Sequence, residues 1–195
     1  MSFGRIGGLL IIGGALMLVL AVPIFVVQGG PGLGMSDIGG LATDVSLALF
    51  GFGAAVLSVG GPQPLQAPLV RVGLGALAVG QLSALAFSIG AGATEFDALE
   101  SLPLSILLIV GLGAVVLGWL ITGLGLVRRS GPPRVVGALL VSGLLLYALQ
   151  LLLSSIQIEL PADTSVAALA LTVLGNAGVG VLAVMGNRST ASSTV

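Results

Sequence analysis

Four side chains could build a polar site inside an otherwise apolar chain: Gln81, Tyr147, Gln150 and Asn176. Each offers hydrogen-bonding groups that carry no charge, and Tyr147 and Gln150, three residues apart, share one face of a helix. Converging, the four would line a small cavity for a neutral solute. Acting separately, they would make hydrogen bonds between helices, which is the simpler reading because polar groups in hydrocarbon seek partners on neighbouring helices. Trp119, towards one end of its apolar stretch, reads as an aromatic anchor at the membrane interface.

Reactive chemistry has little to work with. The chain contains no His, Cys or Lys, which removes disulfides, thiolate nucleophiles, His-ligated haem and the usual zinc sites. Serine hydrolysis lacks a base, and aspartyl chemistry needs two carboxylates at one place. The carboxylates Glu95, Asp97 and Glu100 cluster in one loop without the ligand order or central Gly of an EF-hand, so they read as a hydrated acidic loop. Arg128, Arg129 and Arg134 bracket Ser130-Gly131-Pro132-Pro133, which lacks the Gly-Lys-Ser/Thr of a phosphate-binding loop. No catalytic, cofactor or metal site is expected, and the chain reads as a non-enzyme. A net charge of -1 leaves no basic footprint for nucleic acid.

Whatever these residues do, apolar helices must position them. With 56% hydrophobic and 7% charged residues, against about 25% charged in soluble domains, the composition is that of an integral membrane protein. Crossing a hydrocarbon core of roughly 30 Å takes about 20 apolar residues in a helix. Six stretches qualify in a single transmembrane domain: 6–27, 43–60, 71–91, 102–127, 134–156 and 164–185, with a short polar tail at 186–195. None alternates as a barrel strand would, so the expected fold class is an all-α six-helix bundle. The first stretch is too long for a signal peptide and reads as a retained span. Pro23 should kink or shorten it, and Ser101 and Asp163 stand where helix N-caps belong.

Charge distribution orients the bundle. Arg5, Arg71, Arg128, Arg129, Arg134 and Arg188 all fall at one end, whereas the seven acids fall in or beside the loops of the other. Positive residues in short loops stay in the cytoplasm, so both termini are expected there, in a multi-pass protein of the cell membrane. Asp44 is placed at the outer edge of the second span, and no ionisable group is expected near the middle of any span.

A hairpin of helices recurs three times. Arg5, Arg71 and Arg134 are each followed nine residues later by Gly14, Gly80 and Gly143, and the even spans repeat Gly-x-Gly as Gly51 and Gly53, Gly111 and Gly113, Gly178 and Gly180. Lipid tails are as apolar as Leu, so these glycines read as helix-packing positions where backbones approach closely. The first hairpin, through Gly8-Leu9-Leu10-Ile11-Ile12-Gly13 leading to Pro23, resembles the repeat of the HdeD-like acid-resistance membrane proteins. That resemblance implies six spans in three hairpins and no particular activity. The second and third hairpins have no proline at that place.

The leading expectation is a non-catalytic bundle acting through packing with itself, with membrane lipid or with a partner membrane protein. The alternatives are a passive channel or carrier for a small neutral solute, and a lipid-modifying enzyme using Asp44 and the acidic loops at the outer interface. Because the chain has no native Cys, single introduced cysteines report sidedness directly. Ala191→Cys should react with an impermeant maleimide only after the inner face is exposed, and Asp97→Cys in intact cells. The reverse pattern excludes this orientation.

Overall fold

The computed structural model describes residues 2–28, 38–93, 102–155 and 162–191. Six helices fill these segments: α1 (Phe3–Gln28), α2 (Ile38–Gly60), α3 (Pro68–Ala93), α4 (Leu102–Val127), α5 (Pro132–Ser155) and α6 (Ala162–Ala191). All six are long and apolar enough to cross a membrane, and no strand occurs among the described residues. Each helix packs against its neighbours in sequence, and α6 returns to α1, so the six form a closed ring.

Glycine sets the spacing of this ring. In hydrocarbon, burying a leucine against another helix gains little over leaving it in lipid, so association rests on close van der Waals contact between backbones. Four of the six seams bring a Gly from each helix together. A methyl group on Gly53 of α2 would lie 2.9 Å from the Gly7 carbonyl oxygen of α1, and one on Gly118 of α4 would lie 2.9 Å from that of Gly73 on α3. The ring closes at Gly8 of α1 and Gly180 of α6, where the corresponding distance is 2.6 Å. Gly123 and Gly137 draw α4 to α5. Gly113 is different, with no atom near its face, and is the one expected packing glycine that the ring does not use.

The arginine-bearing end is a dry plug. Leu57, Leu74, Leu126 and Leu140 are at most 1% exposed, and Leu65, from the loop between α2 and α3, is fully buried with them. The same loop lies against α6, where a methyl on Gly186 would meet the Gln63 carbonyl oxygen at 2.8 Å. Arg71 donates from Nε to the Ser58 carbonyl at 2.7 Å, satisfying one of the orphan acceptors in the last turn of α2. Between α4 and α5 the turn needs a left-handed residue, supplied by Gly131 at φ 73°. Pro132 and Pro133 then open α5, where a missing N–H leaves no helical bond unmade.

Several boundaries differ from expectation. α1 runs on through Pro23 to Gln28, and α6 extends to Ala191, taking in the first part of the expected tail. Asp163 is the second residue of α6 and not its cap; its position still suits the positive end of the helix dipole. α2 begins at Ile38 instead of Thr43, which places Asp44 inside the helix. Asp37, Glu95, Asp97, Glu100, Ser101, Glu159 and residues 192–195 lie outside the described residues.

The contrast between Gly80 and Gly113 makes the packing argument measurable. A methyl on Gly80 would meet the Gly111 carbonyl oxygen at 2.8 Å, whereas one on Gly113 meets nothing within 4 Å. Gly80→Ala should lower unfolding stability by about 1–3 kcal/mol through overpacking. Gly113→Ala should be neutral within about 0.5 kcal/mol. Equal effects in a detergent-unfolding titration would remove close backbone approach as the organising contact.

Candidate functional site: a cavity inside the ring

The centre of the ring is filled at the arginine-bearing end and open within the other half. A cavity of about 320 Å³ lies there, with wall residues from all six helices: Leu18 of α1, Phe50 of α2, Gln81 of α3, Val115 of α4, Leu144 of α5 and Val173 of α6 among them. Its size is at the low end of small-molecule sites, about 300–1,000 Å³. Counted by helix rise from the arginines, Trp119 and Gln81 stand about 13–15 Å from that end and Leu108 and Leu169 about 28–30 Å. The cavity therefore occupies the half of the bundle remote from the arginines, above the leucine plug. No charged residue lines it.

Polar residues of five helices line it, Thr43 and Ser46 of α2, Gln81 of α3, Trp119 of α4, Tyr147 of α5, and Thr172 and Asn176 of α6, with Gln81, Trp119 and Asn176 at its floor. Trp119 donates from Nε1 to Asn176 Oδ1 at 3.3 Å, and Asn176 donates from Nδ2 to the Thr172 carbonyl of its own helix at 2.9 Å. Thr172 in turn donates its hydroxyl to the Ala168 carbonyl at 2.9 Å. These bonds orient the Asn176 amide, with its oxygen turned towards α4 and its nitrogen held by α6. Gln81, 7% exposed, borders the same space from α3. Beneath Gln81 and Asn176 a second void of about 10 Å³ separates the floor from the plug, at the lower limit for a single water.

Three of the four polar residues singled out in the sequence thus share one cavity: Gln81, Tyr147 and Asn176. Gln150, one helical turn beyond Tyr147 on α5, does not line it. Trp119 and Thr172 were not anticipated there. Depth carried the missing signal for Trp119. Nine residues of helix separate it from Arg128, about 13–14 Å, too deep for a ring anchored among headgroups.

The wall is not equally closed all round. The lining residues that are also exposed are Leu112 and Val116 of α4 and Tyr147 of α5. The glycines that draw α4 and α5 together, Gly123 and Gly137, both lie near the arginine-bearing end. The α4–α5 seam is therefore tight beside the plug and opens beside the cavity.

Asp44 occupies a separate position. It is 4% exposed and neither carboxylate oxygen has a hydrogen-bond partner. This departs from the expected surface carboxylate at the outer interface. Among the described residues, no three His, Cys, Asp or Glu side chains group as metal ligands. No family model, curated protein or solved structure matches this chain.

Proposed function

We propose that this chain is a non-catalytic membrane bundle that holds a small, neutral and mainly apolar molecule in its central cavity, as a carrier or binding protein. The observation that carries this reading is the cavity itself, uncharged, walled by all six helices and mostly apolar in its lining. Apolar walls supply most of the contact, and Gln81, Tyr147 and Asn176 can orient one polar group of the occupant. The opening beside Leu112, Val116 and Tyr147 supports entry from surrounding hydrocarbon, since an apolar molecule is already concentrated there. The leucine plug favours holding over free conduction.

Packing with a partner protein or a second copy draws less support, because the glycine faces that motivated it are largely spent on seams within the chain. A lipid-modifying activity through Asp44 draws less still, as that carboxylate is buried between helices.

On this reading the arginine-bearing end faces the cytoplasm and the protein resides in the cell membrane, as positive charge in short loops directs. Three hairpins of common origin complete the proposal. Gly14, Gly80 and Gly143 each approach a main-chain nitrogen of the following helix, a methyl group lying 3.2 Å from that of Phe50, 2.5 Å from Val115 and 3.0 Å from Thr172. The third hairpin departs at its start, where Val136 stands in the place of Gly7 and Gly73.

Trp119 is the only tryptophan and lines the cavity, so its emission reports on the occupant. In nanodiscs, a brominated apolar probe should quench it saturably. Ala84→Phe, which fills the cavity from α3, should weaken the apparent affinity at least about tenfold, the equivalent of 1.4 kcal/mol. Quenching that is non-saturable and unchanged in the filled variant would reduce the cavity to a packing void. Gln81→Leu should lower affinity for probes bearing a hydroxyl while leaving purely apolar probes unaffected.

A further inference from the structure

Asp44 is the seventh residue of α2 and sits on the face turned to α3. The register follows from Gly51, seven residues on, where a methyl group would lie 2.9 Å from Leu82 and 3.4 Å from the Gln81 Cβ. Because α2 and α3 run antiparallel, stepping seven residues along each brings Asp44 level with Ser88, itself 5% exposed. The two helices packed against α2 are α1 and α3, and their charged residues are Arg5 and Arg71. Arg71 is bonded to Ser58, fourteen residues from Asp44, about 21 Å along the helix. Arg5 lies in the first turn of α1, at that same end. No protein cation among the described residues therefore reaches the carboxylate.

An ionised carboxylate taken out of water without a partner is costly, and a buried polar group with no protein partner calls for an ion or a water. We propose that Asp44 anchors a monovalent-cation site between α2 and α3, with Ser88 as a further oxygen ligand. Charge matching selects the valence, because one cation of charge +1 neutralises one carboxylate, whereas a divalent ion would leave a net charge in a low-dielectric seam. Hard alkali cations also accept hydroxyl and carboxylate oxygens together with retained water. Thr43 and Leu47, within a turn of Asp44, line the central cavity, so the ion would lie beside the cavity wall on α2. This site is independent of any occupant in the cavity.

The full-length protein purified in mild detergent provides the test, melted at constant pH and ionic strength in sodium, potassium or choline chloride. Sodium or potassium should raise the melting temperature by several degrees over choline, with a saturable dependence on concentration. Asp44→Asn should melt without preference among the three salts, and Ser88→Ala should keep the preference but need severalfold more cation. Identical melts in all three salts for the wild-type chain overturn the proposal, whether or not the Asp44 variant folds. An unchanged cation preference in Asp44→Asn overturns it as well.

Discussion

Close approach of backbones at glycine is the contact on which the rest of this structure depends. A helix in hydrocarbon has no water to escape, so shape rather than apolarity must hold it to its neighbour. Gly7 with Gly53, Gly73 with Gly118, and Gly8 with Gly180 let carbonyl oxygens of one helix approach the other helix as nearly as atoms allow. The last of these pairs turns a row of three hairpins into a ring. Without it, α1 and α6 would be edges and there would be no enclosed centre.

A ring of six helices is wider than one layer of side chains fills by itself. At the arginine-bearing end the gap is closed by leucines and by Leu65, which the loop between α2 and α3 delivers into the core. In the other half the inward residues leave about 320 Å³ unfilled. Depth of packing thus separates a sealed half from a hollow one, with Gln81, Trp119 and Asn176 at the boundary between them. There the Trp119–Asn176 bond ties α4 to α6 across the floor. Its value is positional, because a hydrogen bond between membrane helices contributes only about 0.6 kcal/mol on average.

The opening at the α4–α5 seam follows from the same geometry. Gly123 and Gly137 hold these helices together only near their connecting turn, and Tyr147, Val116 and Leu112 flank the space beyond. In a protein surrounded by lipid, such a gap faces the phase in which apolar molecules are dissolved. An occupant of the cavity would meet polar side chains such as Gln81, Tyr147 and Asn176 after crossing an apolar threshold, the arrangement by which a mostly hydrophobic pocket selects orientation.

Much of this was legible in the residues themselves. Apolar runs of membrane-spanning length predict the helices, because a backbone in hydrocarbon must satisfy its own hydrogen bonds. The arginines at alternate helix starts mark one end of the bundle, and the heptad spacing of Gly7, Gly14 and Ala21 marks a packing face. Which glycines meet which helix was not legible, since Gly113 and Gly111 look alike in a string but only one faces α3. Nor was the helix start at Ile38, which moves Asp44 from an expected surface position to a buried one. Periodicity along one helix is a local property, whereas the cavity, the Trp119–Asn176 bond and the burial of Asp44 depend on the rotation of several helices about their axes. That rotation is decided only when all six pack at once, and so the tertiary structure alone determined it.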